Sequence, residues 1–157
     1  MKLIRRTDAK VLFHLGQREG NLLVQVLKRY PRVPSAHQRL SKSGLLPNQQ
    51  ENQRLLDEAL AEQRADCKKQ LQALLADPRR LRKVAAGFRL ALSEPDTEWL
   101  LQVLNDIRVG SWIFLGSPEG KLEGLSATTA ADFWAMELAG AFQMELLQAL
   151  EEGGRDQ

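Results

Sequence analysis

A single cysteine, Cys67, and two histidines, His14 and His37, are all that this 157-residue chain offers of thiol and imidazole side chains. One thiol excludes an intramolecular disulfide and any zinc site built from cysteines. No predicted helix carries two ligands at metal spacing, and no Ser or Cys arrangement surrounds either histidine. The reading is therefore of a protein that is not an enzyme and holds no metal or cofactor. Aromatic residues make up 6% of the chain and are scarce in its basic half, which leaves little for nucleic-acid bases to stack on. Nowhere do about 18 apolar residues run together, and the charged start Met1-Lys2-Leu3-Ile4-Arg5-Arg6 has no long apolar run behind it. The expectation is a cytoplasmic protein with no signal peptide and no membrane segment.

What is present is enough apolar chain, 43% of residues, to bury a core as one domain spanning 1–157. The net charge of +2 conceals a strong asymmetry. Residues 1–92 hold 19 Lys and Arg against 8 Asp and Glu, whereas residues 93–157 hold 3 against 12. A basic half can face nucleic acid or an acidic protein; the competing reading is that the two halves fold together and cancel.

The pattern predicts a mainly α protein, a helical bundle of four to five helices with a short N-terminal β-hairpin. Lys2–Arg6 and Val11–Leu15 are β-compatible runs around a Thr-Asp turn, giving a hairpin over 2–15 that must lie on a helix. A helix running from Thr7 to Tyr30 is the alternative, weakened by Gly16 and Gly20. Leu22, Leu23, Val26, Leu27 and Tyr30 recur at helical spacing over 17–30, and Pro31 ends that segment. Residues 31–47, rich in Pro and Ser, form a loop carrying Arg32, His37, Arg39 and Lys42. Asn48 caps a long helix over 48–76 with a narrow stripe of Leu56, Leu60, Cys67, Leu71 and Leu74, as expected of a helix packed on one side, within the chain or across a homodimer. Cys67 on that stripe reads as a buried, unreactive thiol rather than a redox sensor. Asp77-Pro78 starts a short helix over 78–84 bearing the sharpest basic cluster, Arg79, Arg80, Arg82 and Lys83. Phe88–Leu92 alternates as an extended segment over 88–92. Phe13-x-Leu15 and its following helix are faintly echoed by Phe88-x-Leu90 and the next helix.

That next helix, over 94–115, is the central one. Ser93 caps it, Pro95 suits its first turn, and Asp96 stands where a capping box wants an acid. Its first half is one-sided, with Glu98, Gln102, Asn105 and Asp106 opposite Leu100, Val103, Leu104 and Ile107. From Trp112 to Leu115 both faces are apolar, so the second half is expected to be buried all round. Small residues Gly110 and Ser111 let another backbone approach where burial begins. Asn105, Asp106 and Arg108 are read as a structural polar anchor that ties the helix to a loop; a small active site at the mouth of the core is the sharper alternative. The chain ends with a Gly-rich loop and a helix over 127–152, capped by Ser126. Its core face holds Leu138, Phe142 and Leu146, while Trp134 projects among carboxylates, read either as a partner anchor or as a residue covered by a hairpin or loop.

Trp99-Leu100, then Leu104-Asn105-Asp106-Ile107-Arg108, an apolar run and Gly116 resemble the hallmark helix of an uncharacterised bacterial helical family often encoded beside the adaptor of the Clp protease. The resemblance implies an all-helical fold and regulation by protein contacts rather than catalysis. Redox regulation by a cysteine pair does not carry over, because Cys67 stands alone. Burial of Trp112 to Leu115 is the condition on which both the central-helix architecture and the likeness rest.

Two functions follow as expectations. The first is a cytoplasmic regulator or adaptor acting through protein contacts at Trp134, the long helix or both, self-association included. The alternative is a nucleic-acid-associated regulator using Arg79, Arg80, Arg82 and Lys83 with Lys68 and Lys69.

Overall fold

The computed structural model describes residues 1–35, 48–119 and 124–152. Four helices dominate those residues: α1 (Gln17–Leu27), α2 (Gln49–Ala76), α3 (Glu94–Phe114) and α4 (Ala127–Glu152). Four strands accompany them: β1 (Lys2–Arg6), β2 (Val11–Leu15), β3 (Leu81–Val84) and β4 (Gly87–Leu92). The protein is mainly helical, as expected, but its β content exceeds one hairpin and departs from the all-helical fold that the resemblance implies.

The N-terminal hairpin does not stand alone. All four strands form one antiparallel sheet in the order β1-β2-β4-β3. Phe13 pairs with Leu90 and Leu15 with Phe88. The faint echo between these segments is thus realised as two hairpins meeting back to back, each followed by a helix. Alternation puts Val11, Phe13, Leu15, Leu90 and Leu92 on the buried face, against α1 and α3. There they join Leu23, Leu27, Leu100, Leu104 and Ile107 in one core, closed by Ala135, Ala139, Phe142 and Leu146 of α4.

The short helix expected over 78–84 is absent. Asp77 to Arg80 form a turn and Leu81–Val84 is strand β3. The reason is tertiary: β4 offers a full edge, and pairing along it satisfies the backbone of β3 better than one isolated helical turn could. Asn48 stands at the N-cap of α2 without a side-chain cap bond, its φ of 56° in the left-handed region that Asn tolerates. At α3 the expected capping box is complete. Ser93 Oγ accepts from the Asp96 amide, and the Asp96 side chain accepts from the Ser93 amide. The 31–47 loop falls largely outside the described residues, with His37, Arg39 and Lys42; so does 120–123 of the Gly-rich loop.

The end of α3 corrects another expectation. The segment is helical to Phe114, but Trp112 and Phe114 are 39% and 52% exposed, while Ile113 and Leu115 are half-buried. Each exposed ring has found a surface partner. Trp112 Nε1 donates to the Pro118 carbonyl at 3.2 Å, and the Arg32 guanidinium lies 3.9 Å over the Phe114 ring. The helix therefore runs out of the core at its C-terminal turn, where Gly116 ends it with a φ of 86°.

Candidate functional site

The polar residues singled out on α3 are turned two ways. Arg108 Nη2 donates to Asn105 Oδ1 at 2.9 Å, the i,i+3 contact that helical spacing allows, and Arg108 Nε donates to Gln143 Oε1 at 3.1 Å, joining α3 to α4. Asp106 faces elsewhere. Its Oδ1 accepts from the backbone amides of Arg32 at 2.6 Å and Val33 at 3.2 Å, and Arg64 Nη2 stands 3.9 Å from Oδ2. Arg64 also donates to the Val33 carbonyl. One helical turn further, Gly110 lies under the same backbone: a Cβ there would come within 2.4 Å of the Arg32 carbonyl carbon. Asp106 and Gly110 thus form a seat for residues 32–33, whereas Asn105 and Arg108, expected to share in tying the helix to a loop, join α3 to α4 instead.

Beside this seat sits a small cavity of about 150 Å³ bordered by Tyr30, Arg64, Cys67 and Asp106. Cys67 is half-buried against the core, in keeping with its place on the stripe of α2. The Tyr30 side chain borders the same cavity. Burial first, and interaction with the neighbouring Cys67 thiol second, push the Tyr30 hydroxyl well above its ordinary pKa of 10.0. A phenol whose folded pKa is raised contributes stability that is present below pH 10 and lost as pH rises beyond it. Because Tyr30 is the only tyrosine, phenolate absorbance in an alkaline titration should be missing near pH 10 and appear only together with unfolding. A normal titration of the native protein would contradict the buried placement.

The basic cluster is divided by the fold. Arg79 folds back on Asp77 with two contacts of 3.1 Å, which hold the Asp77 carboxyl below the usual carboxylate range, and Arg80 Nη2 meets Asp96 Oδ1 at 2.6 Å. Arg82 and Lys83 remain exposed on the edge strand β3. Trp134 lies apart from all four, on α4.

Around Trp134 the surface is apolar. The residue is 61% exposed, with the Phe133 ring edge-on at 5.6 Å. On one side of α4, toward Arg108 of α3, Met144, 67% exposed, and Leu147 line a separate hollow. On the other, a groove of about 420 Å³ runs between α1 and α4, walled by Leu22, Val26, Trp134 and Leu138 and bounded by Arg18 and Arg29. Its Arg29 end rests on a cluster that sequence reasoning missed. Asp132, buried in α4, accepts on Oδ1 from Arg29 Nη2 at 2.5 Å and from Arg32 Nη2 at 2.6 Å. Two guanidiniums on one carboxylate leave that end net positive. A signal was available, since Asp132 is the lone acid on the face that carries Ala135, Ala139 and Phe142, and a buried acid requires a cation.

Among the described residues no group of three His, Cys, Asp or Glu side chains is placed to hold a metal ion, and no described helix is long and apolar enough to cross a membrane. Compared with known proteins, the chain matches no family model, no curated protein and no solved structure.

Proposed function

We propose that this protein is a non-catalytic cytoplasmic regulator or adaptor that works through protein contacts, and that its docking face is the groove between α1 and α4 under Trp134. The observation that carries the reading is the exposure of Trp134 over an apolar groove. A large indole open to water is a poor surface residue and a good interface anchor. The partner is a helix presenting apolar side chains flanked by carboxylates, because the bounding charges, Arg18 and Arg29, are both cations. Asn105, Asp106 and Arg108 are already engaged in holding helices and loop together, which supports their role as a structural anchor.

The likeness to the family encoded beside the Clp adaptor belongs to the same proposal but lends it little weight, since the apolar run on which it was conditioned is half exposed here. The nucleic-acid reading in its original form loses Arg79 and Arg80 to carboxylates. A photoreactive phenylalanine analogue at position 134 should give a discrete covalent adduct with a partner in cells, and the same group at position 105 should give none. Adducts from 105 and none from 134 would sink the proposal.

A further inference from the structure

The sheet has a second face, and its chemistry differs from that of α4. The four strands contain six Lys and Arg residues and no Asp or Glu. Register sets several of these cations in line: Lys2 pairs with His14, His14 with Arg89, and Arg89 with Arg82. This single row crosses all four strands on the side opposite the buried Phe13 and Leu90. At the usual strand spacing it is about 14 Å long. Arg5, opposite Leu12, adds a fourth formal cation in the next row. Lys2, Arg5, Arg82 and Arg89 are all exposed, and among the described residues none of them meets a carboxylate. Arg82 directly opposite Arg89 is a like-charge pair, an arrangement that weakens a sheet. An anion laid across the row would relieve it.

We infer that this outer sheet face binds the phosphate backbone of duplex nucleic acid. A protein-docking surface has an apolar centre with charge at its rim; here the charges form the central row. A duplex supplies a continuous line of charge, one per about 1.7 Å of axis, along which cations at uneven spacing each find a phosphate. The outward positions carry no Phe, Tyr or Trp, and their one ring is the half-buried imidazole of His14. A single half-buried imidazole makes no platform for successive bases, so contact is with the backbone and without sequence preference. The site is separate from the α1–α4 groove and uses none of its residues.

The test is fluorescence anisotropy of a labelled mixed-sequence DNA duplex of about 20 base pairs, titrated with the full chain over roughly 25 to 200 mM NaCl. Four neutralised phosphates predict a slope of log K against log salt near −3.6. Arg82→Gln with Arg89→Gln should bring the slope to about −1.8 and weaken binding at the lowest salt. Both residues are exposed and their like-charge pairing is removed, so circular dichroism should hold and the melting temperature should hold or rise slightly. Arg79→Gln, whose cation is already paired, and Trp134→Ala should bind as the parent does. Absence of duplex binding at the lowest salt, or a slope unchanged by the double substitution, would overturn the inference. So would tighter binding of a poly-glutamate peptide than of the duplex, which would mark the face as one for acidic proteins. Retained duplex binding by Trp134→Ala keeps this result independent of the groove's.

Discussion

Gly110→Val should cost about 3 kcal/mol of stability and lower the melting temperature by roughly 6–12 °C in a domain of this size. The added Cβ would meet backbone, 2.4 Å from the Arg32 carbonyl carbon and 2.5 Å from the Val33 nitrogen, and no flexible side-chain end is there to move aside. Lifting that backbone also pulls the amides of Arg32 and Val33 off Asp106. Gly110→Ala meets the same wall with a smaller group and recovers about 1 kcal/mol of helix propensity, so its loss should be smaller. Thermal unfolding followed by circular dichroism reads both. An unchanged melting temperature for the valine variant would mean that residues 32–33 do not sit on α3.

Asp132→Ala should cost about 2–3 kcal/mol, read as a lower urea midpoint at constant m-value. Removing one carboxylate strands two guanidiniums, those of Arg29 and Arg32. Breaking a fully buried pair costs more, but these arginines keep 31% and 27% of their side chains exposed, so water screens part of the loss. Asp132→Asn keeps an acceptor and should lose about 1 kcal/mol. The Gly110→Val and Asp132→Ala changes act on the same short segment, so together they should cost less than their sum. Equal midpoints for the Ala variant and the parent would show that the Arg29–Asp132–Arg32 cluster contributes nothing to the fold.

Local chemistry made much of this architecture legible. Ser93, Pro95 and Asp96 mark the start of α3 without reference to anything distant, and Ser126 marks α4 in the same way: the Thr129 amide donates to its hydroxyl. Gly110 reads as a place for close approach because a glycine within a helix otherwise only costs stability. Strand β3 is not legible locally because Asp77-Pro78 reads as a helix start, and what overrides it is an edge of β4 whose position depends on the whole sheet. Trp112-Ile113-Phe114-Leu115 reads as buried from composition alone. Whether such a run is covered depends on where its neighbours end, and here Arg32 and Pro118 sit at that boundary.

The candidate surfaces divide along the same line. Trp134 could be picked out because a tryptophan on a polar helical face is anomalous in itself. Its groove could not, since Leu22 and Leu138 are brought together by packing. The link from Arg29 to Asp132 spans 103 positions, with only the lone acid on an apolar face to hint at it. The cationic row on the sheet depends on register, which a shift of one residue would reverse. Lys2, Arg82 and Arg89 are unremarkable surface charges until the strands are aligned.

The most direct test of a protein that acts through α4 rather than through the polar group on α3 compares two variants for capture of the partner cross-linked from position 134. Trp134→Ala removes an exposed side chain and Arg108→Ala removes an exposed structural contact. With both folded, capture should fall at least about tenfold for Trp134→Ala, as for an interface hot spot, and persist for Arg108→Ala. Capture lost with Arg108→Ala and kept with Trp134→Ala would place the working surface on α3 and contradict the account.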